Sequence, residues 1–198
     1  MSERIVQDFG HITNARVYGL DESIRRAKFP MSADASTLNS ELTSGIAGLA
    51  KSKKGEGHDN WLNGVVVQFD LEFTVKAWTE AERYHFLDFV SSQSTMHRIA
   101  SFDLDQKYDE HTDPRSIAIV KELVETYKRT KDPEDYLRCL MSNPCGMRLT
   151  AGMTTNYRQL KTIYAQRKNH RLPEWREFCA WIETLPMAEL IVGDQPCT

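Results

Sequence analysis

The chain has 198 residues, of which 40% are hydrophobic and 27% charged, with a net charge of −3. That is length enough for one domain, residues 1–198, with a core that needs no disulfide or structural metal. The charge balance lacks the basic field of a nucleic-acid-binding protein, and no apolar run approaches the roughly 20 residues of a membrane span.

The first 35 residues mix charge with turn formers and hold one short helix candidate, from about Asp21 to Lys28. A second helix is expected from about Ser40 to Lys51, with Leu42, Ile46 and Leu49 on one stripe. The charged, glycine-containing run from Lys51 to Gly57 reads as a loop. Val65, Val67, Phe69, Leu71, Phe73 and Val75 then alternate with mostly polar neighbours. This is the pattern of a long strand with one buried and one wet face, as in an antiparallel sheet. Thr79 and Glu82 form a capping-box pattern that predicts a helix reaching to about Arg98. Asp113-Pro114 opens the next helix and Asp132-Pro133 a shorter one. Thr154 or Thr155 is expected to cap a helix to about Lys168, and Pro173 to start a last one bearing Trp175, Phe178, Cys179 and Ile182. The fold expected is α/β (α+β): a long antiparallel sheet flanked by helices, with a helix-rich second half.

Cys139, Cys145, Cys179 and Cys197 are widely and irregularly spaced, and the N-terminus runs into polar sequence rather than a secretory segment. Reduced thiols in a cytoplasmic protein are therefore expected, with no zinc cluster. Cys145 has no nearby base to make it a nucleophile, and there is no GxSxG elbow, phosphate-binding Walker loop or GxGxxG fingerprint. Asp132, Glu134 and Asp135 read as helix-start charges.

Two polar clusters stand out. In the first, Gln93 and His97 lie four apart and would share a helical face, with Arg98 and Ser101 following as the helix gives way to a loop. Their charge, hydroxyls and amide donors suit phosphate oxygens. Cations at a helix C-terminus also stabilise any helix by ~0.3–1 kcal/mol, so the pattern alone leaves both readings open. In the second, Asn156, Leu160, Ile163 and Arg167 fall on one stripe about 16 Å long, with Arg158 in the same first turn. A flat cofactor could lie along it, and so could an ordinary core.

Together these segments resemble the flavin-dependent thymidylate synthases over roughly residues 40–182. The family's Arg-His-Arg-x-x-Ser-x-Asn-Glu segment is similar to Met96-His97-Arg98-Ile99-Ala100-Ser101-Phe102-Asp103-Leu104, preceded by a glutamine at Gln93. Its strand resembles Phe73-Thr74-Val75-Lys76-Ala77, with Gly57-His58 upstream, and its Asn-x-Arg-x-Leu matches Asn156-Tyr157-Arg158-Gln159-Leu160, with Arg167 eleven residues after the asparagine. His170 and Trp175 resemble the His and Trp that follow. There are departures. Met96 replaces the first arginine, Asp103-Leu104 replaces the Asn-Glu pair, Gln106-Lys107-Tyr108 stands for Ser-x-Arg-Tyr, and Asn63 stands for a Glu before the strand.

The resemblance implies methylation of dUMP to dTMP, with FAD as cofactor and NADPH and methylenetetrahydrofolate as co-substrates. It gives Arg167 the catalytic role of polarising the pyrimidine. Gln93, Ser101, Lys107 and Arg167 would hold the substrate, and His97, Arg98, Ile99, Asn156, Arg158 and His170 the flavin. It also implies a homotetramer. The departures leave two alternatives: a non-catalytic flavin- or nucleotide-binding protein on the same fold, or the same chemistry on another pyrimidine nucleotide.

Overall fold

The structure is a computed structural model and describes residues 3–53 and 55–193. Its strands are β1 (Glu3–Ile5), β2 (Ile12–Tyr18), β3 (Val66–Thr74), β4 (Asp88–Ser92) and β5 (Arg148–Asn156). They form one five-stranded antiparallel sheet in the order β1-β2-β3-β5-β4. The helices are α1 (Leu20–Ala27), α2 (Ser44–Ala50), α3 (Val75–Ala81), α4 (Thr95–Arg98), α5 (Pro114–Thr130), α6 (Pro133–Met141), α7 (Tyr157–Arg167) and α8 (Pro173–Ile182). The chain divides into two compact units, one of residues 1–71, 84–89 and 152–198 and the other of residues 72–83 and 90–151.

In the first unit, the alternation along β3 behaves as read: Val65, Val67, Phe69 and Leu71 are buried while Gln68 is exposed. Phe69 meets α8 through Phe178 (5.8 Å between ring centres) and Trp181 (4.7 Å), so the buried face of the strand and the apolar stripe of α8 make a single aromatic core. β2 pairs antiparallel with β3, and its register shifts between Thr13 and Arg16. Asn14 absorbs the extra residue at φ 56°, a left-handed conformation that asparagine tolerates, and its amide donates to Asp70 at 2.7 Å. The β1–β2 hairpin corrects the reading of the N-terminal segment as one helix among turns. Its tight turn uses Gly10 at φ 54°, where a side chain would run into Glu177.

In the second unit, α5 and α6 pack over a core of Ile99, Leu104, Val120, Val124, Cys139 and Met147. Both helices start as their Asp-Pro signals predict: Asp113 accepts from the Arg115 N–H and Asp132 from the Glu134 N–H, each at 2.9 Å, with proline in the first turn. The helix expected from Thr79 to Arg98 does not form. Thr74, at the end of β3, is the N-cap, accepting from Ala77 N at 3.1 Å, and α3 ends at Ala81. The Thr79 hydroxyl instead donates back to the Val75 carbonyl at 3.0 Å, the bond of a threonine inside a helix. After it, the aromatic and β-branched run Tyr84–Val90 leads into β4, whose five residues are all exposed.

Two boundaries also move. α2 begins at Ser44 under a Thr43 cap, later than Ser40. Thr154 and Thr155 lie in β5, and the cap of α7 is Asn156, whose side chain accepts from Gln159 N at 2.9 Å. Cys197 lies outside the described residues.

Candidate functional site

In the first unit, Arg167 is the last residue of α7 and is 7% exposed. Its guanidinium stacks over the Trp175 ring at 4.8 Å and the Tyr84 ring at 5.6 Å. Nε donates to the Tyr84 hydroxyl at 2.7 Å, and that hydroxyl donates onward to Gln166 Oε1 at 3.0 Å. The His170 ring lies between Arg167 Nη1, 2.7 Å from Nε2, and the Leu172 N–H, 3.2 Å from Nδ1. A neutral imidazole has one lone pair to offer, and a guanidinium can only donate, so the shorter contact takes it. Three predicted or resembling residues, Arg167, His170 and Trp175, are thus brought together. Tyr84 joins them from a segment expected to be mid-helix.

At the other end of α7, Asn156 spends its amide oxygen on the helix cap and keeps its two amide hydrogens. Arg158 is 36% exposed along its side chain and donates from Nε to Asp59 at 3.1 Å; among the described residues its terminal nitrogens have no partner. Behind it lies a buried knot that sequence reasoning missed. Lys161 Nζ donates to Ala50 O (2.7 Å), Ser52 O (2.8 Å) and Asp59 Oδ2 (2.9 Å), satisfying all three of its protons. Asp59 directly follows the Gly57-His58 pair, which was the only signal near it.

In the second unit, Gln93 is not on a helix with His97. It follows β4 and extends the sheet, its N–H donating to Thr150 O at 2.9 Å. Its side-chain oxygen accepts from Thr150 N at 3.1 Å and from Lys107 Nζ at 3.0 Å. Lys107 lies 3.5 Å from Glu72 and 5.4 Å from the centre of the Phe102 ring, with only 17% of its side chain exposed. The structure therefore unites Gln93 with Lys107 and directs the lysine inward. Glu72 and Thr150 complete the cluster. Glu72 sits on the strand face read as merely wet, and no local pattern links it to a lysine 35 positions away.

His97, Arg98 and Ser101 are exposed on the short α4 and the 3-10 turn that follows, and among the described residues their side chains have no hydrogen-bond partner. Ile99, between them, is fully buried in the core, so its side chain faces away from any ligand they hold. The Tyr136 hydroxyl donates to the Met96 carbonyl at 2.9 Å and fixes the turn on α6.

The chain superimposes on a flavin-dependent thymidylate synthase from Helicobacter pylori, complexed with FAD and dUMP, with a TM-score of 0.70 over 97% of each chain at 12% identity. The chain has the fold of the flavin-dependent thymidylate synthases. A second structure from Helicobacter pylori, also with FAD and dUMP, gives a TM-score of 0.64 over 89% of this chain and 93% of that one, at 12% identity. A UMP/dUMP methylase from Streptomyces cacaoi, bound with 5-Br dUMP, gives 0.61 over 93% and 94%, at 17% identity. No protein-family profile matches the sequence, and no curated protein matches it. At 12–17% identity the likeness is one of fold.

Proposed function

We propose that the chain is a flavin-dependent enzyme that methylates dUMP to dTMP, with FAD as cofactor and with methylenetetrahydrofolate and NADPH as co-substrates. The observation that carries this reading is the state of the donors at the motif positions. His97, Arg98, the Asn156 amide nitrogen and the Arg158 terminal nitrogens are without partners among the described residues, while the rest of each side chain or its turn is fixed. Within each unit these groups can donate to anionic or carbonyl oxygens, which is what the diphosphate and ring carbonyls of FAD offer.

Bound flavin supplies the redox chemistry; the chain binds, orients and stabilises charge. Arg167, stacked and hydrogen-bonded before substrate arrives, is a preorganised cation for charge developing on the pyrimidine. Gln93, Ser101 and Lys107 belong to the nucleotide side, and His97, Arg98, Asn156, Arg158 and His170 to the flavin side, with Ile99 contributing backbone only. We further propose a cytoplasmic homotetramer. Its support is β4, a sheet edge with Phe89 48% and Val90 66% exposed, which calls for a covering partner. Among the described residues no helix is long and apolar enough to cross a membrane.

A non-catalytic flavin- or nucleotide-binding protein is the second reading. It is favoured by Met96, exposed at 56% where the resemblance has an arginine. Release of tritium from C5-labelled dUMP, dependent on FAD, folate and NADPH, separates the two. The synthase reading requires release. Protein that binds FAD and dUMP but releases nothing, under any of these conditions, belongs to the second reading.

A further inference from the structure

Arg167 carries a long, flexible side chain on the last residue of α7, and burial alone does not aim it. The Trp175 and Tyr84 rings, 4.8 and 5.6 Å from its guanidinium carbon, attract the cation to their faces but leave it free to turn over them. A hydrogen bond is different, because it weakens steeply as it bends. Nε donates to the Tyr84 hydroxyl at 2.7 Å, and Nη1 lies 2.7 Å from His170 Nε2. The guanidinium is a rigid planar fork, so anchoring two of its nitrogens fixes its plane and the direction of its other N–H groups. The Tyr84 anchor is itself oriented. Its hydroxyl proton goes to Gln166 Oε1 at 3.0 Å, which turns an oxygen lone pair towards Arg167.

The backbone that brings Tyr84 there is held as well. Tyr84 is 8% exposed and meets Trp175 edge-on, with ring centres 5.8 Å apart. Two residues on, the Phe86 carbonyl accepts from the Thr155 hydroxyl at 2.6 Å, immediately before the Asn156 cap. The segment from Tyr84 to Phe86 is therefore tied to both ends of α7. Tyr84 stands in none of the motif segments that carry the family resemblance. Resting on the reading of this chain as a flavin-dependent pyrimidine methylase, we propose that Tyr84 is a positioning residue for the reaction. It acts through Arg167 and does not touch the nucleotide. Its hydroxyl holds Nε so that the cation is aimed before charge develops on the pyrimidine, and no reorganisation is needed as that charge appears. The two ring contacts keep the arginine in place, and the one oxygen sets its direction.

Tyr84→Phe tests this, because it removes that oxygen and keeps both rings. The first readout is hydrogen exchange by NMR in the ligand-free protein labelled at the arginine side-chain nitrogens, with Arg167 assigned by its loss in Arg167→Lys. In the parent, the Arg167 Nε–H should exchange about tenfold or more slowly than that of the exposed Arg129, and Tyr84→Phe should remove most of the difference. The second readout is tritium release from C5-labelled dUMP, counted per bound FAD. Tyr84→Phe should lower kcat roughly tenfold and leave KM for dUMP within about twofold, as expected when aim matters most in the transition state. A merely structural tyrosine would lower Tm and the FAD-loaded fraction but not kcat per bound FAD. Exchange in the parent as fast as at Arg129 overturns the proposal and needs no variant to fold. Exchange or kcat per bound FAD unchanged in Tyr84→Phe also overturns it, and each of these results leaves the enzyme reading standing. A parent that binds FAD and dUMP but releases no tritium overturns both.

Discussion

Removing the Asp59 carboxylate should unfold the first unit more readily than any surface change, because it strands a buried cation. Lys161 is 8% exposed and its ammonium has three acceptors, two of them backbone carbonyls, with Asp59 the only one carrying charge. Breaking a buried ion pair by deleting one partner costs about 3–5 kcal/mol. The Arg158–Asp59 bond, at 36% side-chain exposure on the arginine, adds less than about 1 kcal/mol. Asp59→Ala should therefore lose about 4 kcal/mol, which for a chain of this size lowers Tm by roughly 8–16 °C. Lys161→Met should lose about 3 kcal/mol, since it leaves Asp59 with Arg158 but strips the Ala50 and Ser52 carbonyls of their donor. The assay is urea unfolding of the parent, both single variants and the double variant. The double variant should fall close to the worse single, a coupling of about 2 kcal/mol or more. Additive losses, summing to about 7 kcal/mol, would refute the claim that the two charges are stabilised chiefly by each other.

Other expectations are quick to check. Burial pushes Asp109 up, but the His111 N–H, Arg148 and the His111 ring outweigh it and leave the carboxyl at about 2. The folded value lies below the ordinary ~3.9, so the stabilisation is complete above about pH 4 and fades as pH falls towards 2. Asp109→Asn should be less stable by about 2 kcal/mol at pH 7, converging with the parent at low pH; a pH-independent gap would contradict this. Burial, with Glu183 adding to it, pushes the Cys179 thiol up to about 12, and burial also raises Cys139, while Cys145 is exposed. Mass-mapped alkylation of native protein at pH 8 should mark Cys145 and spare the other two. Arg167→Lys keeps a cation but not the fork that meets Tyr84 and His170, so turnover should drop ~100-fold with a modest Tm change. Arg167→Ala should also destabilise by about 2–4 kcal/mol, having emptied a stacked, buried position. Calorimetry beside the activity assay tells these effects apart.

What the sequence made legible was whatever has a local cause. β3 alternates because one face is buried, and α5, α6 and α8 begin at prolines that cannot sit inside a helix. β4 was illegible because all of its residues are exposed, so there is no alternation to read. Thr79 carries the capping-box spacing, but the strand ends at Thr74, and the cap falls there instead. The site follows the same division. Arg167, His170 and Trp175 lie within one helix-turn-helix, where short-range spacing can be read, whereas Tyr84, Glu72 and Asp59 meet their partners across 83, 35 and 102 positions. Contacts of that range are created by the fold and leave no spacing in the chain.

Flavin binding is tested by titrating FAD into the purified chain and following the quenching of flavin fluorescence. Saturable binding, weakened at least tenfold in the Arg158→Ala and Asn156→Ala variants, is the result required if α7 begins at a flavin site. FAD fluorescence that stays that of the free cofactor at every protein concentration would contradict it.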